Sequence, residues 1–191
     1  ADGIGYGIAV GGWTGGVESA SACIRANTDG TFQVVLGMVD ITGTATTMAL
    51  IAAEVIGVPP EQVRVVTADT DQAPYAGASG GSKITYTVGL AVKAAAEDAR
   101  QQILSIAAAE LEARADDLEI AEGSVRVRGT PQRSIALAEV ARKSMSFGAK
   151  YPPIYGTGST ASPKASPGFA AHLTKVQVDR AIPDGAPAWH R

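Results

Sequence analysis

The chain has 191 residues, of which 46% are hydrophobic and 18% charged, a composition that supports a packed core and excludes an intrinsically disordered chain. Its formal net charge of -3 gives no indication of a nucleic-acid or anionic-membrane partner. Cys23 is the single cysteine, which excludes an internal disulfide and a CxxC metal site. No apolar run could span a bilayer and no signal peptide is visible, so we expect a cytoplasmic protein. Because an initiator methionine is lacking, we also expect a fragment or a processed product.

Alternating residues in the first part of the chain predict three strands. The first is a glycine-rich strand over residues 3–12, and the second covers residues 19–27 with four small or apolar side chains on one face. Asp29-Gly30 is a strong hairpin turn signal, and the third strand, which contains Phe32 and Val34, follows it. These three strands predict an antiparallel meander.

Helical spacing of apolar residues begins after Gly43. It predicts a helix over residues 46–56, which Gly57 ends as a C-terminal cap. A short buried strand over residues 63–66 and a polar loop over residues 68–81 come next. A long alanine-rich helix then starts near Ser82 or Lys83, and its composition lets it pack closely against a sheet.

The last third of the chain predicts smaller elements. A hairpin turns at Glu122-Gly123, a short helix over residues 135–142 has Ser134 as its cap, and residues 150–167 form an irregular loop. A final strand covers residues 169–179, and the tail over residues 181–191 is frayed.

The predicted fold class is therefore α+β: an antiparallel strand meander packed with one medium and one long helix, plus a small hairpin-helix element. Residues 1–180 are predicted to belong to one domain, with a candidate sub-boundary near Arg114.

Two glycine-rich loops, over residues 37–44 and 76–83, each lead into a predicted helix. A helix start presents unpaired amides and a partial positive charge, and glycine lets a ligand approach the backbone. Such loops suit a phosphate, a pterin carbonyl or a metal-oxo group. The alternative is two ordinary helices with Thr44 and Ser82 as N-caps. For either loop alone, composition favours the ordinary capped helix. Because two such loops occur in one small domain, a ligand site and two ordinary capped helices are about equally supported.

Other polar residues give weaker indications. Asp69, Thr70 and Asp71 could bind a cation or transfer a proton, but such a cluster more often caps a turn, and Asp40 has the same ambiguity. Cys23 is predicted to be a small buried hydrophobic residue, and His172 to face solvent or to pack. No Ser/His/Asp or Cys/His nucleophile set can be argued, so no catalytic residue or metal ligand is assigned.

The order of the motifs resembles the molybdopterin-binding region of the large subunits of xanthine dehydrogenase, aldehyde oxidase and carbon monoxide dehydrogenase. The resemblance runs from about Gly3 to Asp179. The matching residues, in chain order, are Gly37-x-Val39-Asp40-x-x-Gly43-x-x-Thr46, Ile51-Ala52-Ala53-Glu54-Val55-Ile56-Gly57-Val58, Val63-Arg64-Val65-Val66, Asp69-Thr70-Asp71-x-x-Pro74, Ser79-Gly80-Gly81-Ser82-Lys83-Ile84-Thr85 and Gly89-x-Ala91-Val92.

The resemblance implies a function that the spacing alone does not. Enzymes of that family hydroxylate a carbon centre of an aldehyde, an N-heterocycle or a similar small molecule with water, at molybdenum held by a pyranopterin that often has the cytosine dinucleotide form in bacteria. Iron–sulfur and FAD subunits or domains carry the electrons away. The resemblance implies that the first loop, at residues 40–43, lies against the pterin and the oxo ligands of the metal. It also implies that the second loop, at residues 80–84, supplies backbone amides and a hydroxyl to the cofactor. The implied cofactor-binding residues are Asp40, Ile41, Thr42, Gly43, Gly80, Gly81, Ser82, Lys83 and Ile84.

The sequence departs from the family pattern in three places. Many members have glutamine where this chain has Thr42, which is shorter and would reach the cofactor only through a water. The catalytic glutamate and the upstream glycine-rich loop have no equivalent before Arg191, and residues 179–183 depart from the usual turn. We therefore expect the rest of the cofactor site to come from outside this chain, on the remainder of the large subunit or a companion chain. The chain alone is expected to have no hydroxylase turnover.

Two other functions stay open on the sequence. The first is a non-catalytic binding or assembly module of the same fold, which Thr42 and the missing glutamate favour. The second is an unrelated anion or nucleotide binder that uses the helix start after Gly80.

Overall fold

A computed structural model describes residues 3–67, 69–161 and 164–178, and it confirms the predicted α+β class. The described residues form nine strands, three α-helices and two short 3-10 turns. They divide into two compact units. Unit 1 combines the described parts of Ala1–Gly15 and Ser166–Arg191, and unit 2 is Gly16–Ala165. The tail predicted to fray, over residues 181–191, lies outside the described residues.

Unit 1 is a two-stranded antiparallel ribbon. Strand β1 (Ile4–Trp13) pairs with β9 (Gly168–Gln177) along its whole length, in a register that places Ile4 opposite Gln177. Both strands were predicted, but the prediction that β1 belongs to a meander with the next two strands was wrong. Alternation identifies a strand from its own residues, whereas the partner depends on which segment lies beside it in space.

Unit 2 is built on a four-stranded sheet in the order β4-β3-β2-β8. The hairpin of β2 (Ala20–Ala26) and β3 (Phe32–Leu36) turns around Asp29-Gly30, as predicted. Strand β4 (Val63–Thr67) runs parallel to β3, after the 3-10 turn Pro60–Gln62. The predicted inner face of β2 is confirmed, since its buried residues are Ala20, Ala22, Ile24 and Ala26.

Two helices cover this inner face. Helix α1 (Thr44–Ile56) connects β3 to β4 and ends at Gly57, whose φ of 93° is the left-handed cap that glycine adopts readily. Helix α2 (Ile84–Leu111) is the predicted long helix, and it packs an alanine-rich stripe against β2 and β8. The short side chains let the helix backbone lie close to the sheet.

Strand β8 (Tyr155–Thr160) lies in the segment that was predicted to be an irregular loop, so that prediction was wrong. Its glycines are the reason for the error, because glycine in a strand usually weakens the pattern. A Cβ at Gly156 or Gly158 would collide with the backbone of α2, at Ala95 or Ala91 respectively. Glycine is therefore needed where the strand touches the helix.

A small hairpin and a third helix complete unit 2. After the 3-10 turn Ala115–Asp117, strands β5 (Leu118–Ala121), β6 (Ser124–Val127) and β7 (Thr130–Ala136) form an antiparallel sheet, followed by α3 (Leu137–Met145). The turn at Glu122-Gly123 is confirmed. The prediction that Ser134 caps a helix over residues 135–142 was wrong, since Ser134 pairs with Arg126 inside β7 and the N-cap is Ala136. The boundary near Arg114 stays a prediction.

Among the described residues, no helix has the length and apolar character needed to cross a membrane.

Candidate functional site

The loop before α1 enters the helix through two left-handed residues. Thr42 has a φ of 61° and Gly43 a φ of 78°. A positive φ is uncommon for any residue with a side chain, and for a β-branched residue it is a clear outlier. The carboxylate of Asp40 accepts hydrogen bonds from the Ala45 amide at 3.0 Å and from the Thr44 hydroxyl at 3.1 Å. The prediction that Thr44 is the N-cap was therefore wrong: Gly43 holds that position, and Asp40 supplies the capping oxygen.

The loop before α2 has the same backbone feature. Gly81 and Ser82 have φ values of 66° and 57°, and the helix begins at Ile84 after Lys83 as its N-cap. The prediction that Ser82 is the N-cap was wrong, because the helix begins two residues later and Lys83 holds that position. Each left-handed residue other than glycine costs about 1–2 kcal/mol, so both helix starts hold backbone strain.

The structure brings these two loops together. The Ser79 hydroxyl donates to the carbonyl of Val39 at 3.2 Å, which joins one loop to the other. Between them lies an open cleft of about 330 Å³. Its lining residues are Ile41, Thr42, Thr44, Ser79, Gly80, Ser82, Lys83, Ile84 and Thr85. Of the residues singled out in the sequence, Asp40, Gly43 and Gly81 do not line it, and the other six do.

Hydroxyl groups and helix-start amides dominate the chemistry of the cleft. Five of its lining residues are serine or threonine, and none carries a carboxylate. Neither α1 nor α2 has an acidic residue in its first turn. The first-turn amides of a helix have no acceptor within the helix, and they carry a partial positive charge. The cleft is therefore suited to a ligand that offers oxygen acceptors or negative charge.

Lys83 contributes to the cleft wall, but its ammonium group has protein partners. The side chain is 7% exposed, and Nζ donates to the Glu18 carboxylate at 2.7 Å and to the Ala76 carbonyl at 3.2 Å. The Tyr75 hydroxyl donates to the same carboxylate. The hydrogen bond from Lys83, followed by that from Tyr75, lowers the pKa of Glu18, and the bond to Glu18 raises the pKa of Tyr75.

Glu18 and Tyr75 were missed by the sequence analysis. The single signal for them was Lys83 itself, since a lysine at an otherwise uncharged helix start needs a counter-charge if it is buried. Nothing in the sequence says that Glu18, far away in the chain, is that partner.

The remaining polar candidates have structural roles. The carboxylate of Asp69 accepts from the Asp71 amide at 3.0 Å, which confirms the turn-capping interpretation. Cys23 is half-buried rather than buried, because its side chain lies on the face of β2 opposite to the core, so that prediction was wrong. His172 is exposed. In the part of the chain that the structure describes, no group of three or more His, Cys, Asp or Glu could hold a metal ion.

Residues 1–183 match the model of the molybdopterin cofactor-binding domain. The chain belongs to this family. It is 33% identical over 164 residues to the probable hypoxanthine oxidase XdhD of Escherichia coli (strain K12), covering 85% of this chain and 17% of that protein. It is 29% identical over 177 residues to the putative xanthine dehydrogenase molybdenum-binding subunit XdhA of the same strain, covering 89% of this chain and 23% of that protein.

Solved structures give the same result. The Cu,Mo-CO dehydrogenase in its carbon monoxide reduced state has a TM-score of 0.78 and 26% identity, covering 94% of this chain and 25% of that one. The resemblance to the xanthine dehydrogenase and CO dehydrogenase family is therefore confirmed. The chain spans about a fifth of the length of the relatives it matches.

Proposed function

We propose that the cleft between the two helix starts binds part of a molybdopterin cofactor, as one portion of a molybdenum hydroxylase. The proposed contacts are the amides and hydroxyls of the two loops, at Ile41, Thr42, Gly80, Ser82, Ile84 and the backbone of Lys83. Asp40 and Gly43 shape the first loop and Gly81 the second. When bound, the cofactor supplies the metal centre at which carbon is hydroxylated with water.

The convergence of two similar helix starts on one cleft carries this proposal. Each start could serve its own helix without the other, and an ordinary N-cap needs no left-handed pair of residues before it. Thr42 and Ser82 nevertheless both hold a positive φ, and both line the cleft. Backbone strain of this kind persists where the surrounding structure holds it, and it is concentrated at ligand sites.

The residues present fit the group in two respects. The hydroxyls of Thr42, Ser82 and Thr85 and the loop amides can donate to pterin and phosphate oxygens, whereas the hydroxyls of Thr44 and Ser79 already donate to Asp40 and to the Val39 carbonyl. No carboxylate is among the lining residues. The wall is also open at Gly80, where an added Cβ would meet nothing within 4 Å. A flat ligand could therefore lie against the backbone there.

The rest of the enzyme belongs to the same proposal. Since the cleft is open on one side and the chain spans about a fifth of its relatives, other segments would complete the cofactor site. One relative, 35% identical over 138 residues, is named as a subunit of the 6-hydroxypseudooxynicotine dehydrogenase complex of Paenarthrobacter nicotinovorans. We accordingly infer iron–sulfur and FAD partner subunits, the cytosine dinucleotide form of the cofactor, and an aldehyde or N-heterocycle as substrate.

Gly80→Val tests the cofactor site directly, in the protein purified with its partners. Valine would narrow the cleft without touching any other protein atom at its Cβ, so retained molybdenum and pterin should fall by roughly tenfold while the unfolding midpoint stays unchanged. Molybdenum is measured by mass spectrometry, and pterin by fluorescence after oxidation.

Matched control variants distinguish an effect on the cleft from a general effect of the same substitution elsewhere in the chain. Gly7→Val makes the same change at a strand glycine that also has nothing within 4 Å, and it should leave both measurements unchanged. Thr42→Val removes a hydroxyl from the cleft, whereas Thr46→Val removes one from an exposed position on α1 outside it. Equal retention in Gly80→Val and in Gly7→Val would contradict the proposed site.

A further inference from the structure

Glu18 lies outside the cleft, yet it contacts the loop that forms one of the cleft walls. We propose that Glu18 is a positioning residue for the cofactor site: its contacts with Lys83 and Tyr75 hold the start of α2 and the wall over residues 79–85 in place. This inference rests on the proposed function. The Glu18 clamp is defined as Glu18, Tyr75 and Lys83, with the Ala76 carbonyl.

The clamp joins both sides of the second loop. Tyr75 comes just before the loop over residues 76–83 and Lys83 is its last residue, and both donate to the one carboxylate of Glu18. Lys83 also donates back to the Ala76 carbonyl at 3.2 Å. One side chain from a distant segment therefore ties the two ends of the loop together, which limits the conformations that residues between them can adopt.

Backbone contacts from the same segment reinforce the clamp. The amide and the hydroxyl of Ser21 donate to the carbonyl of Tyr75 at 2.7 and 3.1 Å. The amide of Gly16 donates to the carbonyl of Gly81 at 2.7 Å, beside the left-handed pair that precedes α2. Residues 16–21 thus contact the chain just before the part that lines the cleft and again within that part.

Two glycines, Gly16 and Gly77, show how closely the segment that contains Glu18 approaches the loop before α2. An added Cβ at Gly77 would collide with the Glu18 carboxylate, and one at Gly16 would lie 2.8 Å from the carbonyl oxygen of Gly81. A methyl group at Gly16 would meet the backbone, and a methyl group at Gly77 would have to displace the carboxylate of Glu18. The carboxylate therefore lies against the loop backbone itself, not only against the end of a flexible lysine.

The charges explain why the clamp holds the strained backbone. Lys83 is the N-cap residue of α2, so its ammonium adds positive charge at the partly positive end of the helix. Glu18 offsets both. Without the carboxylate, the nearly buried ammonium would lose its counter-charge and would have to move toward solvent or the cleft.

The chain contains a matched control cluster at the other end of α2. Glu110 accepts from Lys143 at 2.8 Å and from the Tyr151 hydroxyl at 2.7 Å, the same three kinds of side chain, with Lys150 as a second cation 3.8 Å away. It holds α3 and the segment after it, and none of its residues lines the cleft. Removal of either carboxylate therefore changes the same chemistry, but only one change should reach the cofactor site.

The experiment compares Glu18→Gln with Glu110→Gln in the protein purified with its partners. Retained molybdenum and pterin should fall by roughly tenfold in Glu18→Gln and stay at the wild-type level in Glu110→Gln. Amide hydrogen exchange should accelerate within residues 77–85 in Glu18→Gln, whereas Glu110→Gln should accelerate it only near residues 139–151. Exchange is measured also after the cofactor has been removed, so this second readout does not depend on loading.

Two further variants keep the inference open to contradiction if Glu18→Gln folds poorly. Tyr75→Phe keeps the ion pair and should produce a smaller change of the same kind. The double variant Glu18→Gln/Lys83→Met removes both charges, and its retention should recover part of the loss because no unpaired ammonium remains.

Each outcome decides between the two proposals. Equal retention and equal exchange at residues 77–85 in Glu18→Gln and Glu110→Gln would overturn the positioning role. If Gly80→Val also leaves the cofactor in place, the proposed site itself fails. Accelerated exchange at residues 77–85 in cofactor-free Glu18→Gln would then support the clamp as an anchor of the loop alone.

Discussion

The two ends of α2 carry clusters of the same side-chain types, but the cluster at the start contacts a loop and the cluster at the end contacts α3. At its start a glutamate accepts from Lys83 and Tyr75, and at its end a glutamate accepts from Lys143 and Tyr151. The Lys83 side chain is 7% exposed, whereas that of Lys143 is 37% exposed. The carboxylates differ in the opposite sense, since Glu18 is 32% and Glu110 21% exposed, so the contrast lies in the lysines. The nearly buried Lys83 is tied to a loop that contains two left-handed residues and lines the cleft, whereas Lys143 joins α3 to the end of α2, where Glu112 is the left-handed C-cap.

This difference shows why an ion pair cannot be interpreted from its residue types alone. An exposed pair competes with water and contributes little to stability. A buried pair leaves an unpaired charge when one partner is removed, so the surrounding structure must rearrange. We therefore expect the start of α2 to transmit a substitution to the cleft, and the end of α2 to absorb it.

The largest expected loss of stability comes from a substitution in β8 where that strand touches the middle of α2. In Gly158→Ala the new methyl group would collide with the backbone carbonyl of Ala91, and neither backbone can move aside freely. The free energy of unfolding should fall by about 3 kcal/mol or more, measured by urea denaturation. Gly7→Ala is the control, since its Cβ would meet nothing. Equal stability of the two variants would mean that α2 does not lie against β8 as closely as described.

A smaller effect is expected from removing one lysine at each end. Lys83→Met leaves the Ala76 carbonyl without its donor and Glu18 without its counter-charge. A buried acceptor left unpaired costs about 1–3 kcal/mol, so this variant should unfold at a lower urea concentration than Lys143→Met. The comparison of the two ends breaks down if Lys143→Met is the less stable protein.

The third substitution displaces Glu18 without altering any charge. Gly77→Ala and Gly148→Ala both place alanine where φ is positive, at 65° and 72°. Both should therefore lose roughly 1 kcal/mol to backbone strain. Gly77→Ala should also push the Glu18 carboxylate aside and accelerate amide exchange at residues 77–85, whereas Gly148→Ala has nothing within 4 Å to displace. Unchanged exchange in Gly77→Ala would argue against the clamp.

The smallest effect is the dependence on pH. Hydrogen bonds from lysine and tyrosine lower the pKa of Glu18 and of Glu110 below their ordinary value of 4.5. The unfolded chain therefore binds protons at a higher pH than the folded chain does. The stabilisation is present above 4.5 and is lost as the pH falls through the lowered pKa values.

Urea denaturation between about pH 6 and pH 3 measures this loss. Each single Glu→Gln variant should flatten the acid side of the stability profile modestly, and only Glu18→Gln should alter exchange at residues 77–85 in the same range. An acid profile that is unchanged in both variants would mean that neither carboxylate titrates with a lowered pKa.

The sequence by itself determined the parts that depend on near neighbours along the chain. Alternation identified the buried face of β2, and helical spacing identified α1, α2 and the cap at Gly57. The order of the motifs indicated the family, which the comparisons confirm, and the two glycine-rich loops predicted a ligand site at the helix starts, which stays a prediction. Each of these signals arises within one strand, one helical turn or one loop.

Only the tertiary structure decided which distant segments meet. It paired β1 with β9, placed β8 against α2 through Gly156 and Gly158, and brought the two loops to one cleft. It also gave Lys83 its partner Glu18. Periodicity along the chain carries no information about such encounters, because strand pairing and ion pairs depend on the position of both partners in the folded molecule.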